Sequence, residues 1–306
     1  MNFRALLLVA VLLSMPNAFA QPAAPAPSAS APPVVALIAA VGDHFEVVRQ
    51  RQAVGSNIEP FARKQVPLQT QALNYAALRG LDQAVADAEP DAKRVLVQWA
   101  MPEATADSLT KSRNGRRHED IVLNALLADL HAMPARQQWD RIEAVVPAYF
   151  YGQVSGMGTK LSGIGVYVQP LANQNITLNN DTGDVTISSN PADGDFKTVD
   201  PNTGATAKSS VFLAPYMYFE RITIDAKTLA VISRKRMFEN TKYFDPTSTA
   251  IDVSQQMPFE QIMAKLEETV EHAAYKSVRD VRNEVNVTAP VPLPQSATPA
   301  ASEPAR

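Results

Sequence analysis

The sequence holds four histidines, the side chains whose ordinary pKa lies nearest neutrality. Two of them stand beside acids, in Asp43-His44 and in His118-Glu119-Asp120. A carboxylate can orient an imidazole as a general base, and a histidine with carboxylates can hold a divalent cation. Either use requires chain segments far apart in sequence to meet. His131 and His272 fall inside helical patterns. Neither His-Glu-x-x-His nor Gly-x-Ser-x-Gly occurs, so the common zinc-protease and serine-hydrolase arrangements are missing. A hydrolase built around His44 and the His118 region is the second expectation. No residue is assigned a catalytic, metal or cofactor-binding role, and no cofactor is expected.

A second chemical feature is a concentration of glycine. Five of the twelve glycines fall between Gly152 and Gly165, with Ser155, Thr159, Lys160 and Ser162 among them. Such a segment can offer backbone N–H groups to an anion. Its spacing, however, fits neither the phosphate loop ending in Gly-Lys-Ser/Thr nor Gly-x-Gly-x-x-Gly, and a strand rather than a helix follows it. A bulged or flexible strand connection is therefore the expectation. Around it Tyr149, Phe150, Tyr151, Tyr167, Phe212, Tyr216, Tyr218 and Phe219 make two strand regions aromatic. Alternate members must face opposite sides of a sheet. Core packing is expected for them; an exposed set would instead suit sugars or a partner protein.

The chain's ends speak to location. Arg4 precedes an apolar run from Ala5 to Met15, followed by Pro16-Asn17-Ala18-Phe19-Ala20. This is the charged, apolar and small-x-small order of a secretory signal peptide, expected to be cleaved after Ala20. The run is too short for the ~20 residues of a bilayer span, so no permanent membrane anchor is expected. The sequence contains no cysteine, which excludes a lipidated cysteine, disulfides and thiolate chemistry. A periplasmic or secreted address follows. The sequons at Asn175 and Asn286 are read as chance. Residues 21–33 and 288–306 are rich in proline and alanine and are expected to be disordered spacers, because they offer little large apolar surface. Residues 34–287 are left for one globular domain.

With a net charge of −3, the chain has no basic footprint for nucleic acid. The short basic groups Arg113, Arg116, Arg117 and Arg234-Lys235-Arg236 are read as solvated surface. Along the domain the apolar run Val34 to Val41, the turn chemistry of Gly42-Asp43 and the resumption over His44 to Arg49 read as one strand or as two strands in a hairpin. A helix over 70–89, a strand over 94–101, a helix over 119–133 and strands over 141–151 and 164–168 follow. This alternation predicts an α/β fold whose mixed sheet has helices on its faces and a parallel N-terminal part. A small hairpin is expected over 176–188, a polar loop to about Ser209, and a long antiparallel hairpin over Val211 to Phe238. The chain then closes on an amphipathic helix from Phe259 to Val281, whose Glu260, Glu267, Glu268 and Glu271 disfavour an anionic membrane surface. The expected role is an exported, soluble, non-catalytic binding or envelope-associated assembly module, with an envelope protein or a glycan as partner.

Overall fold

The computed structural model describes residues 31–50, 61–111, 118–148, 161–169, 174–178, 185–189, 196–209, 211–250 and 252–278. The chain divides at Pro32–Pro33, and only residues 31–32 of the first unit belong to the described set. The expected signal segment 1–20 and tail 288–306 lie outside it, as do Gly152, Gly156, Gly158, Tyr149, Phe150, Tyr151 and Arg113, Arg116 and Arg117.

From Pro33 onward the fold is α/β with a mixed sheet. Strands β1 (Val34–Ala39), β2 (His44–Gln50) and β3 (Phe61–Pro67) precede helix α1 (Ala72–Ala88) and strand β4 (Lys93–Gln98). Helices α2 (Glu103–Lys111) and α3 (His118–His131) lead to β5 (Arg141–Pro147) and β6 (Ile164–Gln169). Two small antiparallel pairs come next, β7 (Gln174–Leu178) with β8 (Val185–Ser189), and β9 (Phe196–Val199) with β10 (Thr206–Ser209). The long pair β11 (Phe212–Asp225) and β12 (Val231–Asn240) precedes α4 (Phe259–Val278). The β11–β12 turn is held by the Asp225 carboxylate, which accepts the backbone N–H groups of Lys227 and Thr228 at 3.0 and 2.7 Å.

Register and hydrogen bonds arrange the main sheet as five columns. β1 and β2 form one column: β1 pairs β5 in parallel, β2 pairs β6 in parallel, and β1 and β2 do not pair with each other. The hairpin alternative for residues 34–49 is thus corrected to two strands in line. The break at Val41–Asp43 turns through Gly42 at φ +91° without reversing direction. Asn74 on α1, itself buried, accepts the Val41 N–H that the break would orphan, at 2.9 Å. β5 and β6 likewise share a column against β11, with residues 219–225 facing β5 and 212–217 facing β6. At their junction Tyr218 donates to the Gly163 carbonyl at 2.7 Å and accepts from the Ala148 N–H at 2.9 Å, while Gly163 N–H bonds Ala148 at 2.8 Å. Ala148 and Gly163, which bracket residues 149–162 of the sequence, therefore meet at one point of the sheet. β4 and β3 flank the β1–β2 column, and β12 flanks β11.

Period-2 alternation divides the side chains of these columns between two faces. On one face α1 and α4 cover Val35, Leu37, Phe45, Val145, Met217 and Phe219. The stripe of α4 thus packs on the sheet, with Leu266, Val270, Ala273 and Ala274 buried. On the other face α3 places Val122, Leu126 and Leu130 against Ile38, Ile142 and Ile222. No described helix contributes to the remaining part of this face, which holds Val48, Tyr167, Phe212, Ala214, Tyr216 and Tyr218.

β3, α2 and the β9–β10 hairpin lie where sequence patterning predicts no element. β3 is an edge strand with only partly buried or exposed residues, so it shows no apolar alternation. α2 is nine residues of polar composition, started by carbonyl acceptance at Pro102 from Thr105 and Ala106. Among the described residues, no helix is long and apolar enough to cross a membrane.

Candidate functional site

The helix-free part of the sheet face carries a row of rings. Phe61 and Tyr167 lie 6.3 Å apart between centroids, Tyr167 and Phe212 6.0 Å, and Phe212 and Phe196 5.6 Å in an edge-on contact. A second row places Tyr216 6.1 Å from Tyr218, whose ring lies 3.9 Å from Phe238. The row forms because cross-strand neighbours on one face stand within reach of aromatic side chains. Tyr167, Tyr216, Tyr218 and Phe212 are at most 2% exposed, so these predicted aromatic positions are core. Phe219 belongs to the opposite face, as alternation requires.

Polar groups border the rings. Lys242 sets its ammonium 4.6 Å from the centre of the Phe196 ring and 5.2 Å from that of Phe212, and burial lowers its pKa. On the other side Glu46 accepts from Arg63 at 3.1 Å, and the Tyr216 hydroxyl donates to the Ser162 carbonyl at 3.4 Å. Burial first, and then the Glu46 charge, hold the Tyr216 hydroxyl far above its ordinary value. Burial also raises Tyr167 and pushes Tyr218 up to about 12. These phenols remain protonated through the physiological range and so are not nucleophiles there.

A titration tests this. At pH 11 the folded protein should show fewer tyrosinates by near-ultraviolet absorbance than the guanidinium-unfolded chain, with Tyr167, Tyr216, Tyr218 and Tyr243, all raised by burial, contributing to the deficit. Their folded pKa values exceed the unfolded ones, so the stability they contribute is complete below about pH 10 and falls as pH rises toward about 12. Equal tyrosinate content in the two states would overturn the assignment.

Two acids on β11 and β5 are buried, one on the aromatic face of the sheet and one on the other face. Glu220 accepts Nε and Nη2 of Arg234 at 2.8 and 2.6 Å, and Nε and Nη2 of Arg236 at 3.0 and 2.8 Å. Arg234 also reaches Asp120 at 3.4 Å. On the opposite face Glu143 accepts from Arg141 at 3.1 Å, Thr223 at 3.0 Å and Arg221 at 3.3 Å. The triplet Arg234-Lys235-Arg236, expected to be solvated surface, thus sends two members to clamp a carboxylate that is 4% exposed.

The histidine regions stand apart. His44 opens β2, with Nδ1 3.3 Å from the Asp43 carboxylate and both side chains partly exposed. His118 opens α3, and its side chain and that of Glu119 lie outside the description. Two residues on, Asp120 is tied through Arg234 to Glu220 on β11. β11 is two columns from β2, roughly 10 Å at the usual strand spacing. Among the described residues no group of three His, Asp or Glu side chains could hold a metal ion. His272 borders a depression of about 690 Å³ lined by α4, by Arg79 and Gln83 of α1, and by Thr241 and Tyr243. Arg79 and Glu271 there are paired at 2.9 Å, and Tyr275 donates to Asp87 at 2.8 Å.

Sequence reasoning missed Glu46, Arg63, Lys242, Phe196, Phe238 and the clamp on Glu220. One signal was present for the last. Glu220 interrupts an apolar strand, and the return strand of the same hairpin carries the basic triplet Arg234-Lys235-Arg236; the register pairs Glu220 with Arg236 directly. In comparison with known proteins, the chain matches no family model and no curated protein significantly.

Proposed function

We propose that the protein is an exported binding or envelope-associated assembly module that carries out no covalent chemistry of its own. Residues 1–20 direct it to the periplasm or the medium and are removed after Ala20, by the pattern of the N-terminal sequence. The observation that carries the non-catalytic reading is how the buried ionisable groups are used. Glu220 and Glu143 have both oxygens taken by guanidinium or hydroxyl donors, and the tyrosines beside them are held protonated. Groups satisfied in this way support a shape rather than transfer a proton. The recognition partner is a protein rather than a glycan, a reading supported by the burial of the described rings Tyr167, Phe212, Tyr216, Tyr218 and Phe219 in the core.

Fractionation of expressing cells, with N-terminal sequencing of the mature chain, checks the export. A chain beginning at Gln21 outside the cytoplasm is expected; an intact Met1 form held in the cytoplasm would remove this part of the proposal. Purified protein should leave generic ester and phosphate substrates unchanged. Turnover that disappears in His44→Ala would instead establish the hydrolase reading.

A further inference from the structure

We propose that the outer edge of β4 joins two copies of this chain, strand to strand across a two-fold axis, into one continuous sheet. This goes beyond the binding-module reading and does not depend on it. Lys93 donates its backbone N–H to the Pro33 carbonyl at 2.8 Å. Alternate residues of a parallel strand bond one neighbour, so Lys93, Val95 and Val97 serve β1, while Arg94, Leu96 and Gln98 turn their N–H and C=O groups outward. Among the described residues β4 pairs with β1 alone. The chain is described without interruption from Phe61 to Lys111, on both sides of this strand. Solvent reaches its side chains: Leu96 is 56% exposed, and Lys93, Arg94 and Gln98 are exposed with it. The other two edges of the main sheet are guarded against added strands. β3 carries Arg63 and Lys64 and ends at Pro67, and β12 carries Arg234, Lys235 and Arg236 beside a register shift. β4 has neither protection at its centre. It follows β1 without a shift, holds Val95, Leu96 and Val97 in succession, and confines its charges to Lys93 and Arg94 at one end.

The residue order selects a second copy as the added strand. When two copies run antiparallel about an axis through Leu96, the outward N–H and C=O of Leu96 bond those of Leu96 in the second copy. Arg94 then faces the neutral Gln98, Val95 faces Val97, and Lys93 comes beside Trp99. The exposed leucine is covered by its own equivalent, and no charge meets a like charge. Centring the axis on Val95 would set Leu96 against Arg94 and Val97 against Lys93, and centring it on Arg94 would set arginine against arginine, which cross-strand pairing disfavours.

Sedimentation velocity of the mature full-length chain should show a reversible monomer–dimer equilibrium that shifts toward dimer as concentration rises. Amide hydrogen exchange at residues 94, 96 and 98 should slow in the dimer. Leu96→Lys changes an exposed position, removes the apolar contact and sets like charges across the axis. It should raise the dimer dissociation constant at least about tenfold while the circular dichroism of the monomer stays unchanged. Gln98→Glu places a carboxylate opposite Arg94 of the second copy and should tighten the dimer about threefold, whereas Gln98→Arg should weaken it. A chain that sediments as a monomer at every concentration up to about 1 mM would overturn the proposal. So would protection confined to another surface, or a dimer whose affinity Leu96→Lys leaves unmoved.

Discussion

Gly165→Ala should lower the melting temperature by about 6–12 °C, corresponding to a loss of about 3 kcal/mol. A Cβ at this position would stand 2.2 Å from the Glu46 carbonyl oxygen and 2.6 Å from the Tyr216 hydroxyl. The first is backbone of the adjoining column, the register partner of Gly165 itself. Moving it requires the β2–β6 pairing to open. The second belongs to a fully buried side chain and has nowhere to turn. Adding Tyr216→Phe relieves the hydroxyl contact and leaves the carbonyl contact in place, so the double variant should recover only part of the loss. Thermal unfolding of the two variants checks this, and a Gly165→Ala protein as stable as the parent would show that the columns are not packed this closely.

An asymmetry is expected at Glu220. Replacing both arginines, in Arg234→Ala/Arg236→Ala, leaves a buried carboxylate without its four donors and should cost about 3–5 kcal/mol. Glu220→Gln should cost less, about 1–2 kcal/mol, because Arg234 and Arg236 are 37% and 48% exposed and can be rehydrated where they stand. Chemical unfolding of both variants measures the difference; equal losses would mean that the guanidinium pair does not serve the buried charge.

What was legible in the sequence is what local pattern controls. The helical spacing of Leu73, Ala76, Leu81 and Val85 places α1, and the stripe from Phe259 to Val278 places α4. The apolar run through Val34–Ala39 places a central strand, and the Asp225–Thr228 turn marks the long hairpin. Alternation of strands and helices was enough for the α/β class and for the parallel part of the sheet. Elements at the rim escaped because their residues are half exposed: β3 and the β9–β10 hairpin have no buried face to impose a period.

Only the tertiary structure decided that β1 and β2 run in line rather than as a hairpin, since Gly42 and Asp43 read as a turn either way. It likewise decided that Ala148 and Gly163 close on Tyr218, that three tyrosines are core rather than platform, and that Arg234 and Arg236, half exposed, turn their guanidinium groups onto Glu220. The reason is common to all four. Each depends on which column a residue joins and which way its side chain then points, and these are set by hydrogen-bond register between segments far apart in the chain. Composition and short-range spacing by themselves determined the long helices α1, α3 and α4, the central strands and the absence of cysteine; register between distant strands gave those elements their partners.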